Sequence, residues 1–298
     1  MFVGVDHAGR DWSWKEPGST KACRNFMITL FAEWALPATT GQASGRRAMA
    51  RKFMVPALAV LAFAIAAPAF AQVPANIAKA VADPSRPAAE TARDAARRPG
   101  EILAMAELKP GDTVVDYIMG GGYFTRIISG AVGPQGVVYA YQPAEFIRFA
   151  ARYGESLKAV TAALANSKPL DGPITALDLP DNVDAVITVQ NYHDMHLKPF
   201  PTDTAAKANA EIFKSLKPGG VFLVIDHSAI AGSGITAADT LHRIDIAAVK
   251  QEVEAAGFKL EAESGLLADP ADARTINVFD PAIRGKTDQF ILKFRKPK

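Results

Sequence analysis

The chain has 298 residues, of which 49% are apolar and 21% are charged, a composition that excludes a disordered protein. Its formal net charge is +2, but 8 of the 33 basic and 4 of the 31 acidic residues lie in residues 1–71, which leaves 25 and 27, a net charge of −2, for residues 72–298. The charge of this main part gives no reason to expect nucleic acid as a partner.

Residues 49–71 have the three parts of a secretory signal peptide. Arg51 and Lys52 supply a positive start, an apolar run follows from residue 53 to about residue 67, and Ala69-Phe70-Ala71 offers small residues for a signal peptidase. The run is shorter than the roughly 20 residues that cross a bilayer, which favours cleavage over a retained anchor. We therefore expect cleavage after Ala71 and a periplasmic or secreted protein without a stable membrane anchor.

Residues 1–48 precede the methionine at which this signal peptide would start. They contain all three tryptophans and the only cysteine, and they show no sustained helical or strand period. We interpret them as a disordered extension that results from a start site assigned too far upstream; a genuine N-terminal extension is the alternative. The chain after residue 71 has no cysteine and hence no disulfide or thiolate chemistry.

Residues 72–110 are predicted to form a helical arm in front of the main domain, residues 111–298. The arm is rich in alanine, proline and arginine, with one helix predicted over 88–98 and a second over 101–108. Arg93, Arg97 and Arg98 form a stripe on the first helix. The simplest interpretation of this stripe is that it forms salt bridges to the domain.

From residue 113 onward, predicted strands and helices alternate. The predicted strands are 113–117, 136–141, 174–177, 184–189, 221–225, 258–263 and 289–294. The predicted helices between them are 123–132, 205–216 and 244–256, and residues 144–164 are predicted to be mostly helical. Such alternation predicts a three-layer α/β sandwich with a mostly parallel sheet, in which ligands bind beyond the carboxyl ends of the strands.

Three consecutive glycines, residues 120–122, lie between the first strand and its helix. Glycine at such a turn permits positive φ and a close approach of ligand to backbone. The start of the helix adds unpaired N–H groups and the positive end of its dipole. The glycines alone would suit an ordinary turn equally well, but Asp116 at the end of the strand favours a site for a nucleotide-like ligand.

The segment VVDYIMGGGYFTRI (114–127) resembles the first motif of the class I S-adenosylmethionine-dependent methyltransferases. The segments DAVITVQNYHD (184–194), FKSLKPGGVFLVID (213–226) and TDQFILKFRK (287–296) are similar to the fourth strand, the fifth strand and the closing hairpin of that family, in the same order. The resemblance covers about residues 86–298. The signal peptide together with GGGYFT, NYHD and TDQF is similar to a small group of exported predicted methyltransferases.

The resemblance implies a Rossmann-like sheet of seven strands with an antiparallel last strand. It also implies methyl transfer from S-adenosylmethionine to a small molecule as the activity. The cofactor-binding residues that it implies are Asp116, Met119, Gly120, Gly121, Gly122, Gln142, Glu145 and Asn191. Asp116 and the glycines would hold the methionine part of the cofactor, and Gln142 or Glu145 the ribose. Asp178 is a further candidate, for the adenine amine.

Two positions depart from the family pattern. Ile118 replaces its first glycine, and a β-branched residue at positive φ would cost roughly 1–2 kcal/mol or more. We therefore predict a loop that curves differently there. Gln142 replaces the acid that binds the ribose hydroxyls, and a neutral acceptor contributes about 1 kcal/mol, against about 1.5–3 kcal/mol for a charged one.

Every histidine after residue 71 follows the predicted fourth or fifth strand, which favours a functional site. The predicted catalytic residues are His193, Asp194, His227 and His242. His193 with Asp194 is suited to act as a base if the methyl acceptor is a hydroxyl or a protonated amine. The alternative is a metal site formed from these histidines and His196 with Asp194 or Asp226.

Other functions remain open from the sequence. S-adenosylmethionine is a cytosolic metabolite, whereas the signal peptide directs the chain out of the cytosol. The second hypothesis is therefore a non-methylating periplasmic protein, either a ligand-binding protein or a histidine-assisted metalloenzyme. A nicotinamide-dependent oxidoreductase shares the βαβ pattern, but the L-K-P-G-G turn and the closing hairpin argue against it. Arg284, Lys286 and Asp288, before the last strand, either border the substrate or form a solvated turn.

Overall fold

The structure is a computed structural model, and it describes residues 72–298. The predicted signal peptide and the extension before it lie outside the described residues. Seven strands form one sheet: β1 (Thr113–Tyr117), β2 (Val137–Pro143), β3 (Ser167–Gly172), β4 (Val183–Val189), β5 (Leu216–His227), β6 (Lys259–Ser264) and β7 (Gln289–Arg295). Their order in the sheet is β3-β2-β1-β4-β5-β7-β6.

All pairings among β1 to β5 are parallel, while β7 runs antiparallel to both β5 and β6. The expected Rossmann-like fold, a mostly parallel seven-stranded sheet with an antiparallel last strand, is confirmed. The order reverses direction beside β1, because the chain moves from β1 outward to β3 and then returns to place β4 on the other side of β1. Such a switch point opens a crevice at the carboxyl ends of the strands.

Helices cover both faces of this sheet. Those before β1 are α1 (Ala75–Val81), α2 (Ala88–Thr91), α3 (Asp94–Arg97) and α4 (Pro99–Met105). Those within the sheet region are α5 (Tyr123–Val132), α6 (Ala144–Phe149), α7 (Arg152–Ala163), α8 (Thr204–Ser215), α9 (Ala238–Leu241) and α10 (Ile246–Ala255). Within residues 72–298, no helix has the length and apolar character needed to cross a membrane.

The core has two halves because successive residues of a buried strand point to opposite faces of the sheet. In β1, Val114 packs in a cluster with residues of α1, α4 and α5, whereas Val115 packs in one with residues of α8 and α10. Ile77 and Ala80 of α1 belong to the first cluster, so the N-terminal segment shares a core with the sheet. Both faces of the sheet are therefore covered, which leaves the carboxyl ends of the strands as the location for a site.

Two predicted elements were wrong. The third strand is not at 174–177 but at β3, while residues 174–176 form a 3₁₀ turn. β3 pairs only with β2 and is largely exposed, so its sequence SKPLDG lacks the apolar run of a buried strand. The helix predicted over 88–98 is the two short helices α2 and α3.

Candidate functional site

The loops that follow β1, β4 and β5 meet at one edge of the sheet, since these three strands are adjacent and parallel. Asn191, just after β4, joins two of them: its Nδ2 donates to the carbonyl oxygens of Ile118 (3.0 Å) and Val189 (2.8 Å). Gln190 donates its backbone N–H to the Ile225 carbonyl of β5, 2.7 Å away. The predicted site residues are thus brought together as strand adjacency requires.

Ile118 adopts a φ of +64°, so the prediction that the loop avoids positive φ at this position is wrong. Its side chain is buried in the core beside Tyr117 and Tyr141. The carbonyl is held by Asn191, and the next N–H, of Met119, donates to the Tyr141 carbonyl at 2.9 Å. These contacts hold the backbone in a conformation that costs an isoleucine roughly 1–2 kcal/mol.

The three glycines have different physical requirements. Gly120 (φ +57°) and Gly121 face open space, and a Cβ added to either would meet no atom within 4 Å. Gly122 (φ +83°) faces Val160, and a Cβ there would lie 2.6 Å from its Cγ2. Gly122 is therefore needed for packing, whereas Gly120, half-buried, and Gly121, exposed, leave the backbone before α5 uncovered. We call Gly120 and Gly121 the glycine cradle.

Gln142, the predicted ribose ligand, is fully buried, and its Oε1 accepts the N–H of Gly120 at 3.0 Å. Its Nε2 has no hydrogen-bond partner among the described residues. Glu145, the other ribose candidate, accepts the backbone N–H of Ile174 at 3.0 Å. Gln142 thus fixes the position of the glycine cradle and keeps one donor unused.

Of the other predicted cofactor residues, Met119 is buried in a small apolar cluster with Leu157 and Val160. Asp116 is buried and accepts a hydrogen bond of 2.6 Å from Thr125 Oγ1. Burial raises the pKa of Asp116 to about 6, although the hydrogen bond from Thr125 and the charge of Arg97 act in the opposite direction. Asp178 is exposed.

His193 lies at the centre of a buried polar cluster. Its Nδ1 lies 2.8 Å from Asp226 Oδ1, and its Nε2 lies 3.2 Å from Nδ1 of His242 and 3.3 Å from Oδ1 of Asp194. The backbone N–H groups of His193 and His227 also donate to Asp226, at 2.8 and 2.7 Å. Three of the four predicted catalytic residues, His193, Asp194 and His242, are therefore in direct proximity.

The surroundings raise the pKa of His193 and lower the pKa values of His227 and His242. Burial alone would lower the pKa of His193, but the carboxylates of Asp226 and Asp194 outweigh it and raise the value to about 10. Burial lowers the pKa of His227 to about 4, and burial with the nearby charge of His193 lowers that of His242. The raised pKa of His193 disfavours the predicted role as a base.

The remaining two histidines do not belong to this cluster. His227 Nδ1 lies 2.8 Å from Thr287 Oγ1, and its ring borders a cavity described below. His196 is buried, and its Nε2 lies 3.1 Å from Glu252 Oε2, which also accepts the hydroxyl of Tyr192. The histidines that lie close together in the sequence therefore have three different environments. His193 and His242 belong to the buried cluster, His227 borders the cavity, and His196 contacts Glu252.

A cavity of about 480 Å³ lies between the short helices α2 and α3, the ends of β4 and β5, and the segment before β7. The polar side chains in its wall are Arg93, Arg97, Gln190, His227, Arg284 and Gln289. The other charged residues that the sequence suggested do not line this cavity. Arg98 forms a salt bridge with Glu101, and Asp288 forms one with Arg274. Lys286 is exposed. Gln190 donates from its Nε2 to Oε1 of Gln289 at 2.9 Å. No pattern in the sequence predicted either glutamine as part of a site.

No protein-family profile matches the sequence. The structure is similar to a SAM-dependent methyltransferase from Aquifex aeolicus, with 22% identity and a TM-score of 0.47 over 66% of this chain and 88% of that one. A SAM-dependent methyltransferase from Mesorhizobium loti has 17% identity and a TM-score of 0.48, covering 67% and 97%. Fibrillarin from Aeropyrum pernix, in complex with natively bound S-adenosyl-L-methionine, has 16% identity and a TM-score of 0.41, covering 64% and 73%. Values this low do not assign an activity to the chain.

Proposed function

We propose that the protein transfers a methyl group from S-adenosylmethionine to a small molecule at the carboxyl edge of its sheet. The observation that carries this proposal is the glycine cradle, which opens at the start of α5 and beside the switch point of the sheet. Apart from the adjoining residues, no atom of residues 72–298 lies within 4 Å of the position that a Cβ would take at either glycine. The backbone there is open to close approach by a ligand.

The residues around the cradle fit a nucleoside ligand. Gln142 Nε2 and Tyr117 Oη are buried and have no hydrogen-bond partner among residues 72–298. Both belong to the ends of adjacent strands, β2 and β1, and the rings of Tyr117 and Tyr141 stack with centroids 5.3 Å apart. Buried polar groups of native proteins nearly always have partners, so unused donors at these strand ends favour a ligand that supplies acceptors.

When bound, S-adenosylmethionine supplies a methyl group that is transferred by in-line displacement, and positioning of the two reactants gives most of the catalysis. The chain's own contribution is therefore to hold the ligand and the acceptor in a fixed geometry. Asn191 and Gln142 serve this purpose by hydrogen bonds that attach the loop 118–122 to the ends of β4 and β2.

The cavity beside β4 and β5 is the place we propose for the acceptor. Arg93, Arg97 and Arg284 line it, and none has a carboxylate within 4.0 Å among the residues that the structure describes. Within residues 72–298 the Nε of Arg97 is buried without a hydrogen-bond partner, while its Nη1 lies 3.5 Å from Gln190 Oε1, and burial lowers the pKa of the guanidinium. Unpaired guanidinium groups bind carboxylate and phosphate well, so we expect a small acceptor that carries a negative charge.

Calorimetric titration of the full chain with S-adenosylmethionine and S-adenosylhomocysteine tests the proposal. We expect both to bind with one site per chain, and NADH not to bind. Absence of heat at millimolar concentrations of both sulfur ligands would contradict the methyltransferase function. Binding of NADH instead would support the oxidoreductase that the sequence left open.

Gly121→Ala provides a variant that separates ligand binding from folding. Gly121 has no positive φ and no neighbour that an added methyl group would meet, so the free energy of unfolding should change by less than about 0.5 kcal/mol. A methyl group in the cradle should nevertheless lower the affinity for S-adenosylhomocysteine at least tenfold. Gly265→Ala is the matched control, since its Cβ would make only an ordinary contact with Ala268. Equal affinities for both variants would show that the ligand does not occupy the cradle.

We also propose that the protein is exported, on the basis of the signal-peptide pattern of residues 49–71. Fractionation of cells that express the full chain, followed by N-terminal sequencing, tests this location. Recovery of a chain that begins at Gln72 outside the cytosol is the expected result, whereas an uncleaved cytosolic chain would contradict it.

A further inference from the structure

We infer that His193, Asp194 and His242 form a binding site for a divalent transition-metal ion, with zinc the best match. One donor atom from each residue lies within 4.8 Å of the others, and His193 and Asp194 are buried. The two histidine nitrogens and one carboxylate oxygen form a ligand set that zinc and related ions use in sites with an open position.

The distances between the donor atoms match a zinc site. Zinc binds histidine nitrogen and carboxylate oxygen at about 2.0–2.2 Å, so neighbouring ligands of a tetrahedral ion lie about 3.3–3.5 Å apart. His193 Nε2 lies 3.2 Å from His242 Nδ1 and 3.3 Å from Asp194 Oδ1, and the third side of the triangle, His242 to Asp194, is 3.9 Å. The first two distances match this length, and the third exceeds it by about half an ångström.

The residue behind His193 is the kind that metal-binding histidines require. The Nδ1 of a ligating histidine commonly donates to a carboxylate, which fixes the tautomer and leaves Nε2 free to bind the ion. Asp226 is fully buried and receives this Nδ1 at 2.8 Å. It also accepts the backbone N–H groups of His193 and His227, so the carboxylate itself cannot turn away.

The backbone holds the three donors from two separate elements. His193 and Asp194 belong to the 3₁₀ turn after β4, while His242 ends α9 with a φ of +52°, a strained conformation for a residue with a side chain. The ring of His242 is held edge-on against Phe279, with centroids 4.8 Å apart. Its side chain is 24% exposed, against 3% for His193, so solvent reaches the site from the side of His242.

A shared proton is the other possible occupant of this triangle. A protonated His193 would donate its Nε2–H to Asp194 or His242 and would satisfy the same three side chains without an ion. The two occupants are mutually exclusive, because a metal ligand must have lost the proton at the ligating nitrogen. Direct measurement of metal binding therefore decides between them.

The experiment uses the full chain, stripped with a chelator and dialysed, and titrated with Zn²⁺ by calorimetry and with Co²⁺ by visible absorption. We expect one saturable site and Co²⁺ bands typical of a tetrahedral N/O environment. His242→Gln and Asp194→Asn should each weaken Zn²⁺ binding at least tenfold and remove these bands. Mg²⁺, which requires octahedral oxygen ligands, should not compete.

His196→Gln is the matched control, since His196 lies on the same 3₁₀ turn but contacts Glu252. It should bind Zn²⁺ and Co²⁺ as the unchanged chain does. Circular dichroism and the affinity for S-adenosylhomocysteine, measured on every variant, show that each is folded and separate this site from the proposed methyltransferase function. Absence of a saturable site, a tetrahedral signal that persists in both His242→Gln and Asp194→Asn, or its loss in a folded His196→Gln would overturn the inference.

Discussion

Ile118 and Asn191 show how distant residues decide a single backbone conformation. A β-branched residue at φ +64° is unfavourable by itself, yet the side chain is buried, and the peptide group between Ile118 and Met119 is hydrogen-bonded through its carbonyl to Asn191 and through its N–H to Tyr141. The loop therefore takes a positive φ that usually requires glycine, with isoleucine in that position. The cost of positive φ at Ile118 should be measurable, because it changes whether substitution by glycine or by alanine destabilises the protein more.

Ile118→Gly is expected to destabilise the protein less than Ile118→Ala. Both lose the buried side chain, at about 2–4 kcal/mol, but only glycine relieves the strain of positive φ, by about 1 kcal/mol. Ile187, buried in β4 with an extended backbone, is the control, and there glycine should cost about 0.5–1 kcal/mol more than alanine. Urea unfolding of the four variants gives the comparison. The same order at both positions would mean that Ile118 stores no strain.

Asp116 is expected to make stability depend on pH between about 4 and 6. Burial raises its folded pKa to about 6, whereas the unfolded value is about 3.9, so the folded state binds the proton more tightly. Its contribution is thus fully present below about pH 4 and is lost as the pH rises through 6, by up to about 3 kcal/mol.

Asp116→Asn provides the measurement, because the amide can still accept from Thr125 but does not titrate in this range. Urea unfolding at several pH values between 4 and 7 should show the variant gaining stability relative to the unchanged chain as the pH rises. A difference that does not vary with pH would show that Asp116 titrates as an ordinary aspartate.

At this scale the sequence identifies which residues approach the site but not their contacts. The acid and glycines after an apolar run correctly predicted β1, the turn and α5, because these signals are local. The bond from Gln142 to Gly120 and the placement of His196 against Glu252 depend on strand adjacency and on helix packing. Residue spacing along the chain does not contain that information.

At the scale of elements, the short helices α2 and α3 are attached to α5 by paired charges. Asp94 of α3 accepts two hydrogen bonds from Arg86, at 2.8 and 2.9 Å, and one of 2.6 Å from Tyr123 Oη. Arg126 of α5 pairs with Glu90 of α2 at 2.7 Å. Since α5 begins at the glycine cradle, these contacts connect the arm to the proposed cofactor site.

Asp94→Ala is expected to lower the free energy of unfolding by about 2–4 kcal/mol, because it leaves the guanidinium of Arg86, whose side chain is only 2% exposed, without its partner. Asp203→Ala removes one partner of an exposed pair with Lys207 and should cost less than about 1 kcal/mol. Urea unfolding measures both, and limited proteolysis shows whether the arm is released. Equal costs for the two variants would contradict a structural role for the Arg86–Asp94 pair.

The elements that were predicted well are those with a strong apolar pattern. β1, β4 and α5 agree with the predicted bounds to within a residue, because each is buried and its pattern is local. β3 was misplaced because an edge strand is paired and covered on one side only, so its composition is that of a loop. The failure therefore follows from the position of β3 in the sheet.

At the scale of the whole molecule, the fold class was predictable from the sequence, but the shape of the cavity was not. Five separate parts of the chain contribute to its wall: residues 92–102, Phe124, residues 189–190, His227 and residues 267–289. Arg93, Arg97 and Arg284, which have no carboxylate partner among residues 72–298, come from the arm and from the segment before β7. A sequence pattern identifies arginines, but it does not show which of them lack a carboxylate partner.

The contacts between the arm and α5 predict that a ligand in the glycine cradle will stabilise the arm, although the arm contributes no residue to the cradle. Tyr123, the first residue of α5, bonds to Asp94, and helices α2 and α3 also form one wall of the acceptor cavity. Opening of the arm would release the start of α5, so a ligand that requires α5 in place makes that opening less favourable. At a hundredfold excess over Kd, the ligand stabilises the folded state by about 2.7 kcal/mol.

Hydrogen exchange of the full chain, with and without saturating S-adenosylhomocysteine, measures this coupling. Amides of residues 88–97 should exchange more slowly with the ligand, whereas those of the edge strand β6, at the far side of the sheet, should change little. In Asp94→Ala the protection of the arm should disappear while that of residues 119–123 remains, since the variant breaks the connection and leaves the cradle intact. Protection confined to residues 119–123 in the unchanged chain would mean that the arm moves independently of the cofactor site. The arm would then contribute only to the acceptor cavity.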